Sequence, residues 1–467
     1  MTELISFQTT SGNYYLYNST SHEFFHCDVC CKIILNTLSC KEICEINPKR
    51  AYLKYFPMLE EKKFIHAYTY LLHIISNAEK DLNIRNYPKF SRENILYSLV
   101  QTPQIVLEVT EQCNLQCKYC CYGEFYNGKQ RNRKGINALS YLKILLDIKI
   151  KNGFKKDNLY ITFYGGEPLL EFNIIKDIVD YCHKTLPSNI NPIFSMTTNG
   201  LLIRKVIDFL VSNNFKISIS LDGNKEQNAY RICKNGKDSF GIVEKNIEYI
   251  REHYPNFFNE NINFISVFHH KNNINDIYSF FKKYNKTPLI SSLSASNIRK
   301  NKLKDFEKIR PIEFNKLDTT LKEKIIALSN EEENDTAYTN KMQNIYNLFI
   351  EKEVTIKYPM ASCLLFQNRC FITVDGSIYP CEKANRHFRY GKIIDNKLHL
   401  CTKAINGYFT EIMKTYNAIC KSCYIKEYCS ECFFLDPMQC SQGKCIKSTE
   451  NESKNITKII SNLEKKL

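Results

Sequence analysis

Residues 104–120 read QIVLEVTEQCNLQCKYC. The first half, from Ile105 to Thr110, is a short run of apolar and β-branched side chains, which is typical of a buried strand. Directly behind it, Cys113, Cys117 and Cys120 have Cys-x3-Cys-x2-Cys spacing. A closed structural metal site needs four protein ligands, whereas three thiolates on a cubane iron–sulfur cluster leave one iron open. The stretch therefore predicts a strand that ends in an open metal centre.

Outward from this stretch, short apolar segments alternate with helical patterns. The further predicted strands are Leu159–Tyr164, Ile193–Thr197, Lys216–Leu221, Ile262–Phe268 and Pro288–Leu293. Strands that alternate with helices predict parallel βαβ units, and six of them fit a partial (β/α)6 barrel. In such an α/β fold we expect the chemistry at the C-terminal ends of the strands.

Changes of pattern along the 467 residues predict a modular chain. Residues 1–98 indicate a small N-terminal α+β module and residues 99–300 the barrel. A Lys/Glu-rich helical linker is predicted for 301–355. A Cys-rich C-terminal domain is predicted for 356–448, followed by a terminal helix over 449–467.

The composition narrows the class of protein. No targeting segment opens the sequence and no apolar run approaches a membrane span, so we expect a cytoplasmic protein with no membrane partner. In a reducing cytosol, the 21 cysteines predict metal or cluster ligation rather than disulfides. The net charge of +15 is scattered over the chain, which makes nucleic acid an unlikely partner in our interpretation.

The cysteine loop, with the aromatic Tyr119 before its third cysteine, resembles that of the radical S-adenosylmethionine (SAM) superfamily. The resemblance implies a [4Fe–4S] cluster on Cys113, Cys117 and Cys120 that binds SAM at its open iron. It further implies reductive cleavage of SAM to methionine and a 5′-deoxyadenosyl radical, with an electron donor such as flavodoxin or ferredoxin. The protein orients the reactants and excludes solvent. A zinc knuckle or reduced core thiols are the alternative.

Later strand ends also resemble binding segments of this superfamily. Gly165-Gly166-Glu167-Pro168 resembles the GGEP motif, whose backbone, and also Glu167, would receive the methionine amino group. The resemblance assigns Ser195 and Ser220 to the ribose and Arg231 to the methionine carboxylate. The alternatives are an ordinary strand-to-helix turn, hydroxyls that cap strand ends, and a surface ion pair of Arg231.

Residues 371–380 contain two apolar runs around Asp375-Gly376, which predicts a hairpin that brings Cys370 and Cys381 to one end. The cysteines around and after it resemble a SPASM iron–sulfur domain with two auxiliary [4Fe–4S] clusters. The resemblance assigns the first cluster to Cys363, Cys370, Cys381 and Cys432. It assigns the second to Cys420, Cys423, Cys429 and Cys445, with Cys440 as the alternative last ligand.

One feature departs from the SPASM pattern. Only Ser430 and Glu431 separate Cys429 from Cys432, where three residues are usual, which weakens the assignment of Cys432. A pair of zinc sites is the alternative for the whole array.

Glu382 follows Cys381, at the position where sulfatase-maturing enzymes carry an Asp that acts as a base. The resemblance therefore implies a catalytic carboxylate at Glu382. The alternative is a surface glutamate paired with Lys383 or Arg386.

The N-terminal segment Phe7–Leu38 is compatible with a domain that recruits a peptide leader as an added strand. The cysteines in and beyond it could bind zinc or be buried small side chains: Cys27, Cys30, Cys31, Cys40 and Cys44.

Together these resemblances imply a maturase that forms a thioether or carbon–carbon crosslink in a ribosomally synthesised peptide. A sulfatase maturase that makes formylglycine is the first alternative. A non-catalytic zinc-binding interaction protein is the second.

Overall fold

The computed structural model describes residues 4–9, 11–18, 24–78, 89–126, 133–293, 298–310, 365–415, 418 and 433–434. The chain divides into two compact units. One contains the described residues up to Lys89 and those from Gly407 onward, and the other contains those from Phe90 to Arg310 and from Leu365 to Asn406. The boundaries given above for the five segments remain predictions.

The first unit starts with an antiparallel sheet in the order β1-β2-β3, followed by four helices. Its strands are β1 (Leu4–Gln8), β2 (Tyr14–Asn18) and β3 (Phe24–Cys27). Its helices are α1 (Val29–Thr37), α2 (Cys40–Glu45), α3 (Pro48–Tyr55) and α4 (Glu61–Ala78).

Local sequence sets the starts of these helices. The Asp28 side chain accepts from Cys31 N at 3.0 Å, and Ser39 and Glu42 form a reciprocal capping box. The helices enclose an apolar core in which Leu16, Phe64 and Leu71 are fully buried. The predicted α+β character of this segment is thus present in the structure.

The second unit contains a ten-stranded sheet in the order β13-β12-β11-β10-β4-β5-β6-β7-β8-β9. Six strands, β4 to β9, lie parallel and side by side in chain order. They are β4 (Gln104–Thr110), β5 (Asn158–Gly165), β6 (Asn191–Thr198), β7 (Lys216–Ser220), β8 (Ile262–Phe268) and β9 (Leu289–Ser292). The prediction of an α/β fold with a central parallel sheet is confirmed.

Helices precede, connect and follow these strands. They are α5 (Arg92–Gln101), α6 (Ala138–Lys151), α7 (Phe172–Thr185), α8 (Ile207–Ser212), α9 (Phe240–His253), α10 (Pro255–Asn261), α11 (Ile274–Lys282) and α12 (Leu303–Glu307). Residues Ile105 to Thr110 of β4 are all buried, as expected for a parallel strand covered on both faces. The sheet therefore brings the C-terminal ends of six strands to one edge.

The predicted hairpin is confirmed and joins this sheet. Strand β10 (Arg369–Ile372) runs parallel to β4, and β11 (Ser377–Tyr379), β12 (Gly391–Ile394) and β13 (Lys397–Leu400) continue antiparallel. Gly376 has φ +76° in the turn, which glycine adopts without strain. Helix α13 (Thr402–Thr415) follows β13.

None of the helices in the described ranges is long and apolar enough to cross a bilayer.

Candidate active site

The cysteine loop behind β4 is fixed by main-chain hydrogen bonds to the segment 230–234, which follows β7. The donors and acceptors are Gln116 N to Ile232 O at 2.7 Å, Lys118 N to Tyr230 O at 3.0 Å, and Lys234 N to Asn114 O at 3.2 Å. Leu115, between the first two cysteines, is buried. The loop that carries the cysteines therefore has a defined path.

The three thiols of this loop are largely removed from water. Cys113 is buried, and Cys117 and Cys120 are partly buried. Burial raises the pKa of Cys117 to about 12; Arg231 lowers it, and the charges of Cys120 and Cys113 raise it further. Burial and mutual repulsion keep these thiols protonated, and iron ions would stabilise their thiolate forms, so these residues fit the implied [4Fe–4S] cluster as ligands.

No three Cys, His, Asp or Glu side chains in the described ranges are grouped closely enough to hold a metal ion. A [4Fe–4S] cluster differs from such a single-ion site, because each of its cysteine ligands binds a different iron. In the first unit, Cys27, Cys30 and Cys31 are buried within the apolar core, which favours the interpretation of these thiols as packing groups.

The GGEP turn lies against the start of the cysteine loop. Gly166 N donates to Thr110 O at 2.9 Å, and Glu167 N donates to Gln112 O at 2.8 Å. Gly165 has φ +147°, and a Cβ at Gly165 or Gly166 would overlap carbonyl oxygens of residues 110–112. The two glycines are therefore required by the close approach of two loops.

The Glu167 carboxylate is fully buried and binds groups of its own chain. Oε1 accepts from Thr198 Oγ1 at 2.7 Å and from Leu169 N at 3.1 Å, and Oε2 accepts from Asn199 N at 2.8 Å. Burial raises the pKa of Glu167 to about 7, against the lowering effect of these hydrogen bonds. The side chain thus connects the GGEP turn to the end of β6.

Asp222, at the end of β7, is the centre of a buried polar network. Its Oδ1 accepts from Arg231 Nη2 and from Val267 N, each at 2.9 Å. Its Oδ2 accepts from the Tyr119 hydroxyl and lies 3.5 Å from His269 Nε2. Burial acts to raise the pKa of Asp222, but Arg231 and the hydrogen bonds from His269, Arg231 and Tyr119 hold it below its ordinary value.

Arg231 forms a buried ion pair with Asp222, rather than the surface ion pair considered as an alternative. Its guanidinium carbon lies 5.5 Å from the centre of the Tyr119 ring. Its Nε is buried without a hydrogen-bond partner among the described residues. An unpartnered buried donor beside the cysteine loop fits an anionic group such as the methionine carboxylate of SAM.

The Tyr119 ring is held between aromatic neighbours. It stacks on the His269 ring with centroids 5.6 Å apart and meets the Tyr230 ring edge-on at 6.3 Å. Burial raises the pKa of Tyr119 well above its ordinary value, so the hydroxyl remains a donor to Asp222. The aromatic side chain of the cysteine motif is therefore fixed in position.

The two candidate ribose serines lie on neighbouring strands at different levels. Ser195 pairs with Lys216 at the start of β7, whereas Ser220 ends that strand. Four residues along a strand correspond to roughly 13 Å. Ser195 Oγ lies 2.7 Å from Thr162 Oγ1, so the two serines would contact different parts of a ligand.

On the hairpin side, Glu382 forms an ion pair with Arg369, with Nη1 3.0 Å from Oε1, rather than with Lys383 or Arg386. Burial raises the pKa of the fully buried Cys370 to about 12, and Cys381 is partly buried. The other proposed auxiliary ligands lie outside the described residues: Cys363, Cys420, Cys423, Cys429, Cys432, Cys440 and Cys445.

The structure adds polar residues that the motif analysis did not assign. Asn199 directly follows β6, Asp222 lies just beyond the end of β7, and His269 directly follows β8. Glu108 is buried within β4, where it accepts from Tyr122 Oη at 2.8 Å and from Val374 N at 3.0 Å. A carboxylate inside an otherwise apolar strand was the signal for Glu108.

Comparison with known proteins agrees with this geometry. Residues 107–283 match the Radical SAM superfamily. The chain contains a radical SAM domain and is a radical SAM enzyme, which leaves the non-catalytic zinc-binding alternative without support. The family implies SAM and a [4Fe–4S] cluster as cofactors.

Two curated relatives refine this class. The chain is 26% identical over 347 residues to a cysteine-type anaerobic sulfatase-maturating enzyme of Clostridium novyi (strain NT), covering 68% of this chain and 84% of that enzyme. It is 30% identical over 228 residues to the radical SAM cyclopropyl synthase TigE of Paramaledivibacter caminithermalis. That match covers 45% of this chain and less than half, 46%, of TigE.

Among solved structures, native anSMEcpe with bound AdoMet superimposes with a TM-score of 0.50 and 20% identity. The superposition covers 70% of this chain and 88% of that chain. At this identity the likeness shows a shared fold.

Proposed function

We propose that this radical SAM enzyme is a peptide maturase that forms a thioether or carbon–carbon crosslink in a ribosomally synthesised peptide. The main observation in favour of radical chemistry is the position of the cysteine loop. Main-chain hydrogen bonds connect it to the GGEP turn on one side and to the segment that contains Arg231 on the other. Similarity to a maturase and to TigE supports modification of a peptide or protein substrate.

The residues of the chain have separate tasks in this proposal. When bound, the cluster and SAM supply a 5′-deoxyadenosyl radical that removes a substrate hydrogen. Arg231 binds the methionine carboxylate, and Tyr119 borders the site with its ring fixed by Asp222. The GGEP backbone receives the methionine amino group, while Glu167 secures that turn from behind.

The hairpin region contains the residues proposed to accept the proton and the electron that the substrate loses. A bond from carbon to a cysteine sulfur requires that the thiol proton be accepted by a base. We assign this role to Glu382, whose carboxylate is partly buried and oriented by Arg369. The auxiliary clusters proposed on the C-terminal cysteines, with Cys370 and Cys381 among their ligands, would accept the electron that such bond formation releases.

The first unit is proposed to bind the leader of the substrate. In the described sheet, β1 and β3 are the edge strands, and an extended peptide can pair with such an edge. The basic net charge of +15 favours an acidic leader.

The second candidate function is oxidation of a sulfatase active-site cysteine to formylglycine. It is favoured by the match that covers 84% of a sulfatase-maturating enzyme. The two candidates share the SAM chemistry and differ in the product.

The radical chemistry is tested first, without a substrate. Anaerobically reconstituted enzyme with dithionite should form 5′-deoxyadenosine from SAM, and a C113A/C117A/C120A variant should form none. Absence of 5′-deoxyadenosine from the wild-type enzyme would contradict the proposal.

The product is then read by mass spectrometry. Incubation with candidate Cys-rich peptides should give a loss of two hydrogens without gain of oxygen. An aldehyde on a sulfatase-derived peptide, trapped by a hydrazide, would instead establish the second candidate. Glu382→Gln should lower product formation while 5′-deoxyadenosine is still formed.

A further inference from the structure

Asn199, at the end of β6, reaches from the GGEP side of the site to the first cysteine. Its Nδ2 lies 2.7 Å from Asn114 Oδ1 and 3.7 Å from Cys113 Sγ. The same sulfur accepts from Leu115 N at 3.4 Å. Cys113 therefore has two N–H donors directed at its sulfur.

The orientation of the Asn199 amide is determined by a third contact. Leu201 N donates to Asn199 Oδ1 at 3.1 Å, so the oxygen end of the amide faces the backbone of the following turn. The NH2 end must then face Asn114 and Cys113. Its two protons match two acceptors, one on each residue.

Glu167 fixes the main chain at the same position. The Asn199 N–H donates to Glu167 Oε2 at 2.8 Å, and the preceding Thr198 hydroxyl donates to Oε1 at 2.7 Å. Asn199 is 7% exposed, so water competes little for these bonds. The buried carboxylate of Glu167 thus fixes the main chain of Asn199, whose side-chain amide faces the sulfur of Cys113.

We propose that Asn199 is a positioning residue that donates an N–H···S hydrogen bond to Cys113 and thereby raises the reduction potential of the cluster. The inference rests on the proposed cluster at Cys113, Cys117 and Cys120. Hydrogen bonds to ligand sulfurs stabilise the more negative, reduced cluster, because they offset the charge on the sulfur.

The test is a redox titration of anaerobically reconstituted enzyme, monitored by electron paramagnetic resonance. The signal of interest is the one that the C113A/C117A/C120A variant lacks. Asn199→Ala should shift the midpoint potential of this signal to a more negative value. Asn199→Asp keeps the shape and the acceptor for Leu201 N but replaces the donor by a carboxylate, so its negative shift should be larger.

Asn246→Ala is the matched control. Asn246 is buried beside the same turn, and its Nδ2 donates to Gly200 O at 2.8 Å and to Leu201 O at 3.2 Å. Both of these hydrogen bonds are made to the turn rather than to the cysteine loop, so the midpoint potential of Asn246→Ala should equal that of the wild-type enzyme.

An unchanged potential in the Asn199 variants, or an equal shift in Asn246→Ala, would overturn the inference while the proposed function stands. If Asn199→Ala retains no cluster, the Asn199→Asp titration decides. A wild-type protein without the signal would overturn the proposed function and, with it, this inference.

Discussion

Asp222 carries a buried negative charge, and its neighbours include Arg231 and Tyr119, the two side chains proposed to contact SAM. Its two oxygens bind Arg231, Tyr119 and Val267 N, and His269 lies next to them. Removal of one partner of a buried charged pair leaves the other charge uncompensated. The residue therefore positions both the guanidinium and the aromatic ring proposed to contact SAM.

Asp222→Asn should weaken SAM binding to the reconstituted enzyme by about 10- to 100-fold, because its amide NH2 would face a donor of Arg231 or Tyr119. Equilibrium dialysis with labelled SAM measures the effect. Asp208→Asn is the control, since Asp208 also accepts from a tyrosine, Tyr254, but at the exposed surface. Unchanged affinity in Asp222→Asn would contradict the assigned role.

Glu167 gives the protein a pH-dependent stability. Its pKa in the folded protein is about 7, against an ordinary value of 4.5, so the folded state holds this proton over a pH range in which the unfolded chain has lost it. Stability contributed by this group is therefore greatest below about pH 4.5 and declines as the pH rises to about 7.

Glu167→Gln should remove the contribution of this group to the decline in the free energy of unfolding. For a pKa shift of this size that contribution is about 3 kcal/mol at most. The measurement is the difference between the thermal midpoints at pH 5 and pH 8, which should be smaller in the variant than in the wild-type protein. Glu171→Gln would not be a clean control, because Glu171 is partly buried and pairs with Lys134; Glu252→Gln on the surface of α9 serves instead. An unchanged difference would contradict the raised pKa.

The Lys149 side chain caps the C-terminal end of helix α5. Lys149 of α6 is 2% exposed, and its Nζ donates to the carbonyl oxygens of Leu99, Val100 and Thr102 at 2.9, 2.8 and 2.7 Å. These carbonyls lie at the C-terminal end of α5, where the helix itself offers no donors. A cation there also interacts favourably with the helix dipole.

Lys149→Met should lower the free energy of unfolding by about 3 kcal/mol, since three buried carbonyls would lose their donor. Urea unfolding followed by circular dichroism measures the change. On the same helix, Lys151 forms an exposed ion pair with Asp147, so Lys151→Met should change stability by less than about 1 kcal/mol. Equal effects of the two substitutions would show that the contacts of Lys149 with α5 contribute nothing.

The sequence predicted local features of these elements better than contacts between them. The parallel strands follow from apolar, β-branched runs, and their observed ends differ from the predicted ones by no more than two residues. The last strand begins at Leu289 rather than at Pro288, because proline has no N–H for the sheet. The turn at Asp375-Gly376 was equally readable.

No pattern in the sequence indicated the contacts between distant segments. Lys149 is 47 residues from Thr102, and Glu382 pairs with Arg369 across the hairpin instead of with a sequence neighbour. Asp222 directly follows the predicted strand Lys216–Leu221, but its buried partners come from three different strand ends. Tertiary packing decides such pairs, and spacing in the sequence does not encode it.

At the scale of the molecule, the cysteine content makes the number of clusters a measurable property. Three [4Fe–4S] clusters predict about 12 irons and 12 sulfides per chain after anaerobic reconstitution. The C113A/C117A/C120A variant should hold about 8 of each, because only the radical SAM cluster is lost.

Iron and sulfide assays measure these values. The control is C121A, which removes a thiol next to the proposed ligand Cys120 and should retain all clusters. About 4 irons in the wild-type protein, absent from the triple variant, would keep the radical chemistry and reject both auxiliary clusters. Zinc in place of iron would contradict the cofactor assignment itself.

The cysteine loop is held by its main chain, through the bonds of residues 114, 116 and 118 to the segment 230–234. The side chain of Gln116 is exposed and takes no part in those bonds. This position is therefore a suitable attachment point for a fluorophore or a spin label beside the redox centre. A reporter there would follow ligand arrival in real time without displacing the thiols.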